Sequence, residues 1–139
     1  MISAVDSSVL VEAIGAGLPH HEVCRALLLG GGLHAHAHAL NETFSTLTGG
    51  RLGVKVPPSS AVVLLDHDLV PRVTFHSLSV EESLAAFREA ESRGVRGGAI
   101  YDYLHLVSAR KIGAPRLYTL NISDFQSFRR SGDPEIVLP

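Results

Sequence analysis

The stretch from Gly97 to Phe125, GGAIYDYLHLVSARKIGAPRLYTLNISDF, constrains this chain more than any other, because it reads as helix, stop, strand and polar turn in a single pass. Ile100, Leu104 and Val107 recur at helical spacing between Ala99 and Ile112, and Gly113 and Pro115 supply the stop. Arg116 to Leu120 is a short β-like run. It leads into the polar turn Asn121, Ile122, Ser123 and Asp124, and a second short helix follows from about Phe125 to Arg129. Two carboxylates thereby fall at neighbouring ends of one helix and strand unit. Asp102 lies near the helix start, where the macrodipole favours a carboxylate by ~0.3–1 kcal/mol whatever its role. Asp124 lies just past the carboxyl end of a strand, where open parallel sheets hold their ligands.

The rest of the chain repeats this alternation. Ile2 to Val5 is apolar and ends at Asp6, with Ser7 or Ser8 placed to cap a helix carrying Val9, Leu10 and Ala13 that stops near Gly15 and Gly17. Pro19 opens a second helix, His20 to Leu29, closed by Gly30, Gly31 and Gly32. This glycine run lacks the Gly-Lys-Ser/Thr that a phosphate loop needs, so it reads as a helix stop. Leu33 to Ala39 alternates His and Ala, which at a strand period of two puts His34, His36 and His38 on one face. Three imidazoles suit a transition metal. Residues two apart on a strand nevertheless stand ~7 Å apart, and tetrahedral sites draw ligands from several elements, so we read the face as structural.

Ala39 to Leu47 follows as a helix with Leu40, Phe44 and Leu47 on one side and Glu42 in its first turn. Gly49 to Pro58 is a basic connection punctuated by Gly and Pro. Ser59 or Ser60 can cap a helix from Ala61 to about Asp66, and Val70 to His76 reads as a third strand. Ser79-Val80-Glu81-Glu82 matches a capping box and opens an amphipathic helix through Arg93, with Leu84, Phe87 and Ala90 inward. Pro134 to Leu138 supplies a last strand. Strands alternating with helices throughout predict an α/β sandwich around a mainly parallel sheet.

Several classes are excluded. The 139 residues suffice for a single domain, 1–139, with a sizeable core. No apolar run approaches the ~20 residues that span a bilayer, and the amino terminus carries no basic segment ahead of an apolar one, so we expect neither membrane insertion nor a signal peptide, and a cytoplasmic location. Cys24 is the only cysteine, which excludes an internal disulfide and a Cys-based zinc motif. A net charge of -2 gives no bulk attraction to nucleic acid and leaves only a local basic patch for that purpose.

Four acids share one description: Asp6 after the first strand, Glu42 after the second, Asp102 on the helix before the fourth, and Asp124 after the fourth. A parallel sheet can bring these positions to one edge, where the carboxylates repel unless something positive lies between them. Hard divalent cations such as Mg²⁺ or Mn²⁺ are the natural partner for clustered carboxylate oxygens.

The segments VDSSVLVEA, HALNETFSTL, AIYDYLHLVSARKIGA and LYTLNISDFQSF resemble the PIN-domain nucleases of the VapC toxin group, and the match covers nearly the whole chain. The resemblance implies a PIN-like three-layer sandwich with a mainly parallel central sheet flanked by helices. It also implies a metal-dependent endoribonuclease acting as the toxin of a type II toxin-antitoxin system, with RNA as substrate, a cognate antitoxin as partner, and a homodimer. Asp6, Glu42, Asp102 and Asp124 stand where that family keeps its metal-binding acids, and Thr119 where it often keeps a hydroxyl. Some members carry the fourth acid three residues earlier, at the position of Asn121, so either Asn121 or Asp124 faces the metal. On this reading Asp6 and Asp102 hold the principal Mg²⁺, Glu42 ligates or orients, and Asp124 serves a second ion or the attacking water. Arg51, Lys55, Arg93, Arg96, Arg129 and Arg130 are the candidate cations at the rim for RNA.

Two other readings compete with this one. A phosphoacceptor receiver domain needs an acid at the end of its third strand, and Val70 to Ser77 has none. A non-catalytic PIN-like module would keep the fold and use its acidic cleft to dock a basic peptide. Residue types alone do not separate it from the enzyme.

Overall fold

The computed structural model describes residues 2–53 and 55–139; Met1 and Val54, the latter within the Gly49 to Pro58 connection, lie outside the described residues. The elements in order are β1 (Ser3–Val5), α1 (Ser7–Ile14), α2 (His21–Leu29), β2 (Leu33–His36), α3 (His38–Gly49), α4 (Pro58–Leu64), β3 (Val73–His76), α5 (Val80–Arg93), α6 (Ala99–Lys111), β4 (Arg116–Tyr118), α7 (Ile122–Phe128) and β5 (Glu135–Val137). The strands form one sheet in the order β3-β2-β1-β4-β5, and every neighbouring pair is parallel. No helix among the described residues is long and apolar enough to cross a membrane.

Alternation along the strands divides the core into two layers, because successive side chains point to opposite faces. Val5, Leu33, Ala35 and Val73 pack with Val9, Leu10, Cys24, Leu28 and Leu69 on the side of α1 and α2. Ala4, Leu117 and Ile136 pack with Tyr103, Leu106, Phe125 and Phe128 on the side of α6 and α7. The result is the expected three-layer sandwich. α6 is buried over most of its circumference, at Tyr103, His105, Leu106, Val107, Ser108 and Ala109, because the sheet lies under it and α5 and α7 flank it.

Several boundaries differ from expectation for identifiable reasons. α1 is capped by Asp6, whose side chain accepts from the Ser8 and Val9 backbone N–H groups, and not by either serine. β2 ends at His36, so His38 opens α3 and does not extend the strand face of His34 and His36. Glu42 consequently sits in the second turn of α3. α4 begins at Pro58 with Pro57 at the cap position, leaving no capping role for Ser59 or Ser60. It runs on through a widened π turn, Leu65–Leu69, and a 3₁₀ turn, Val70–Arg72, so β3 starts only at Val73. Leu65 and Leu69 anchor these turns in the core, and Asp68 is held by both terminal guanidinium nitrogens of Arg25 and by Arg72. Helix α5 has the expected capping box and ends at Gly94, whose φ of 70° favours glycine. Its inner residues are Ala86 and the expected Ala90, however, while Leu84 and Phe87 are about half exposed. α7 starts at Ile122, which gives Asn121 the cap position and puts Asp124 in the first turn.

Candidate active site

The strand order reverses at β1, which lies between β2 and β4, and such a switch point opens a crevice beyond the carboxyl ends of the strands. Asp6 follows β1 directly and is 1% exposed. Its Oδ1 accepts from the Ser8 hydroxyl at 2.6 Å and from the backbone N–H groups of Ser8 at 3.1 Å and Val9 at 3.4 Å; Oδ2 accepts from Thr119 Oγ1 at 2.7 Å. The two hydroxyls latch β1 to the end of β4. Ser8 Oγ accepts from the Leu120 N–H at 3.0 Å, and Thr119 Oγ1 from the Asn121 N–H at 2.9 Å. Burial holds the Asp6 carboxyl above its ordinary range, although the charge of His105 and these hydrogen bonds pull the other way. With three donors on Oδ1 and one on Oδ2, Oδ2 retains acceptor capacity for a cation.

Asp102, in the first turn of α6, is pushed up to about 6, first by burial and then by Asp6, with Glu42 and Asp124 adding repulsion and His105 opposing it. All four sequence-predicted acids thus lie within electrostatic reach of one point. They are not drawn into a closed cage: among the described residues no three His, Cys, Asp or Glu side chains gather as a ready-made metal cluster. This arrangement fits Mg²⁺, which is held by one or two carboxylates with waters and substrate phosphates and seldom by an all-protein shell. A set of oxygen donors without sulfur also suits Mn²⁺. Asp124, exposed in α7, lines the same cleft as Asp102, whereas Asn121 takes the cap position of that helix without a side-chain cap hydrogen bond.

Glu42 is held differently. His105 Nε2 lies 2.6 Å from Glu42 Oε1, with the imidazole almost fully buried. Burial pushes the Glu42 carboxyl up, but the hydrogen bond and charge of His105, with the charge of His38, outweigh it and hold Glu42 below its ordinary value. Burial likewise pulls His105 down, and Glu42, Asp6 and Asp102 together raise it. The sequence reading missed this histidine. Its signal was the three-residue spacing from Asp102, which places both on one side of a helix. His36 meets His105 edge-on, ring centroids 5.7 Å apart, and is lowered to about 4 by burial, then by His105 and His38 against Glu42. His34 pairs with His76 at 2.8 Å.

Two clefts flank the acids. One, of about 400 Å³, includes Ser7, His38, Asn41, Glu42, Arg51 and Tyr101 in its lining; the other, of about 320 Å³, includes Gly98, Asp102, Asp124 and Phe128. Of the candidate rim cations, Arg51 lines the first cleft, and Lys55 and Arg96 are exposed. Arg93 is instead paired with buried Asp133, Arg129 donates to the Asp133 and Pro134 carbonyls, and Arg130 donates to the carbonyls of Ser127, Arg129 and Ser92. These three serve the carboxyl-terminal turn.

The parallel sheet, its switch-point acids and the sandwich around them belong to a known class, and residues 4–130 match the PIN domain family model. The chain belongs to the PIN domain family. Among solved structures it is similar to VapC20 of Mycobacterium tuberculosis, a sarcin-ricin loop cleaving toxin, with a TM-score of 0.71 and 19% identity over 95% of this chain and 99% of that one. VapBC2 of Rickettsia felis bound to a DNA fragment from their promoter gives 0.69 and 17% identity over 100% and 99%. FitAcB of Neisseria gonorrhoeae gives 0.62 and 14% identity over 97% and 96%. At these identities the likeness establishes the fold. Comparison with curated protein sequences gives no match.

Proposed function

We propose that the protein is a metal-dependent endoribonuclease that hydrolyses RNA phosphodiesters and serves as the toxin of a type II toxin-antitoxin pair. The observation that supports this reading is the burial of Asp6 at the switch-point crevice of a PIN domain, with Asp102 and Asp124 lining one cleft there and Glu42 lining the cleft beside it. Asp6 and Asp102 would hold Mg²⁺ or Mn²⁺, with Glu42 and Asp124 ligating or orienting. An ion bound there supplies Lewis acidity toward phosphoryl oxygens and lowers the pKa of water into a useful range. The chain's own residues prepare the setting. Ser8 and Thr119 fix the Asp6 carboxylate between two strand ends, so it need not reorganise when a cation arrives. His105 fixes Glu42 on the opposite flank. Asp124, exposed and lining the same cleft as Asp102, would orient an attacking water.

The partner follows from likeness: VapC20 is a toxin, and the VapBC2 structure carries promoter DNA. On this reading a cognate antitoxin inserts a basic residue among the acids, the chain pairs as a homodimer, and it acts in the cytoplasm. The test is RNA cleavage by the purified protein in millimolar Mg²⁺, abolished by EDTA and lowered by several powers of ten in Asp102→Asn, which removes a principal metal ligand. Folded protein that leaves RNA intact in Mg²⁺ yet binds a basic peptide in the acidic cleft would replace the enzyme with the non-catalytic module.

A further inference from the structure

We infer that the cleft on the Glu42 side of the acids is a subsite for one unstacked nucleobase of the RNA strand, with the Tyr101 ring as its platform. The inference rests on the ribonuclease reading and specifies how its substrate is gripped. Tyr101 immediately precedes Asp102 on α6, and His38 at the start of α3 stacks on its ring, with centroids 5.1 Å apart and planes inclined by 17°. One face of the ring is therefore fixed in orientation, yet Tyr101 remains 51% exposed. The contrast with Tyr103 is informative. Two residues along the same helix, Tyr103 is fully buried and donates its hydroxyl to Glu89, as a structural tyrosine does. The Tyr101 hydroxyl makes no hydrogen bond among the described residues, and its ring contributes little to either core layer.

The surroundings suit a nucleotide. Arg51 lines the same cleft and rests its guanidinium on Thr46 Oγ1 at 3.3 Å, which leaves its other donors available to a phosphate. Asn41 and Ser45 supply donors and acceptors for a base edge. The volume of about 400 Å³ is in the range that accepts small organic ligands. Proteins that read RNA splay single-stranded bases onto aromatic rings and hydrogen-bond their edges, and removing one such ring weakens binding about 5- to 150-fold. Since the platform adjoins the acids, the base it holds belongs to a nucleotide next to the scissile bond.

The test uses the intact protein in Mg²⁺ and a single-stranded RNA oligonucleotide that it cleaves, together with versions carrying one abasic residue at successive positions around the cut. Tyr101→Ala should raise KM about 5- to 150-fold while kcat falls far less, and Tyr101→Phe, which retains the ring, should recover the affinity. One abasic position should cost the wild type a similar factor and cost Tyr101→Ala nothing further. His38→Ala, which frees the platform from its support, should give a smaller effect of the same kind. The subsite is overturned if folded Tyr101→Ala keeps the wild-type KM, or if the abasic and Tyr101→Ala losses multiply at every position. Wild-type protein that cleaves no RNA would bring down the ribonuclease reading and the subsite together, whereas normal cleavage by Tyr101→Ala removes the subsite alone.

Discussion

At the scale of single residues, the acids carry an electrostatic cost that can be measured without any assay of activity. The fold raises the Asp102 carboxyl from an ordinary 3.8 to about 6, so the native state binds that proton more tightly than the unfolded chain. The sign follows directly. This contribution to stability is full below the unfolded value and is lost as pH rises through about 6. In EDTA, wild type should therefore lose stability relative to Asp102→Asn across roughly pH 4 to 7, and near neutrality the variant should melt higher, by ~1 kcal/mol. Mg²⁺ should raise the wild-type melting temperature by linkage and do much less for the variant; paired thermal melts with and without metal read both effects. Thr119→Val makes the opposite case. It keeps the shape but strips one donor from Asp6 and one acceptor from the Asn121 N–H, so urea midpoints should report a loss of about 1–3 kcal/mol. Asp6, Glu42, Asp102 and Asp124 were singled out by position and by the family resemblance; Asp6 follows β1 and Asp102 and Asp124 lie in first turns, whereas Glu42 lies a turn further into its helix than its sequence position suggested. His105 was not singled out, because a histidine amid Leu104, Leu106 and Val107 reads as part of an apolar helix until its carboxylate partner on another element is known.

At the scale of elements, the helices with clear local signals have limits close to expectation, α6 from Ala99 to Lys111 and α5 from Val80 to Arg93. The capping box of Ser79 and Glu82 and the glycine stop at Gly94 bound α5 at both ends. Its inner face was misjudged in part: Ala90 packs on the core as expected, but amphipathic spacing also picks the larger Leu84 and Phe87, while the position closest to the core is the small Ala86. Denaturant unfolding distinguishes the two faces: Ala86→Leu should overpack the α5 and α6 contact and cost about 1–3 kcal/mol, whereas Phe87→Ser should stay within about 0.5 kcal/mol. The late start of β3 was hidden for a related reason. Val70 and Val73 look alike in sequence, but Arg25 on a distant helix and the buried Leu65 and Leu69 keep the chain coiled up to Arg72. Long-range contacts of this kind leave no periodicity to read.

At the scale of the whole molecule, alternation of strand and helix was enough to predict a parallel sandwich, since parallel neighbours require crossovers. The strand order was out of reach, because nothing local says that β1 takes the middle. Its central place makes the two halves depend on each other. Ser3 and Ala4 pair with β2, while Ala4 and Val5 pair with β4. A fragment comprising residues 1–112, without β4, α7 and β5, leaves β1 as a bare edge and Asp6 without Thr119. It should show no cooperative melt by circular dichroism, while the entire chain melts in one step.

The latch between Asp6 and Thr119 spans 113 positions of sequence. During synthesis the first two acids leave the ribosome long before β4 exists to dock beside them, and contacts of such separation are made late. Until then Asp6 lacks the hydroxyl of Thr119, and the acids come together only when the strand that carries Thr119 docks against β1. Any variant that slows the docking of β4 beside β1 therefore also delays assembly of the acids.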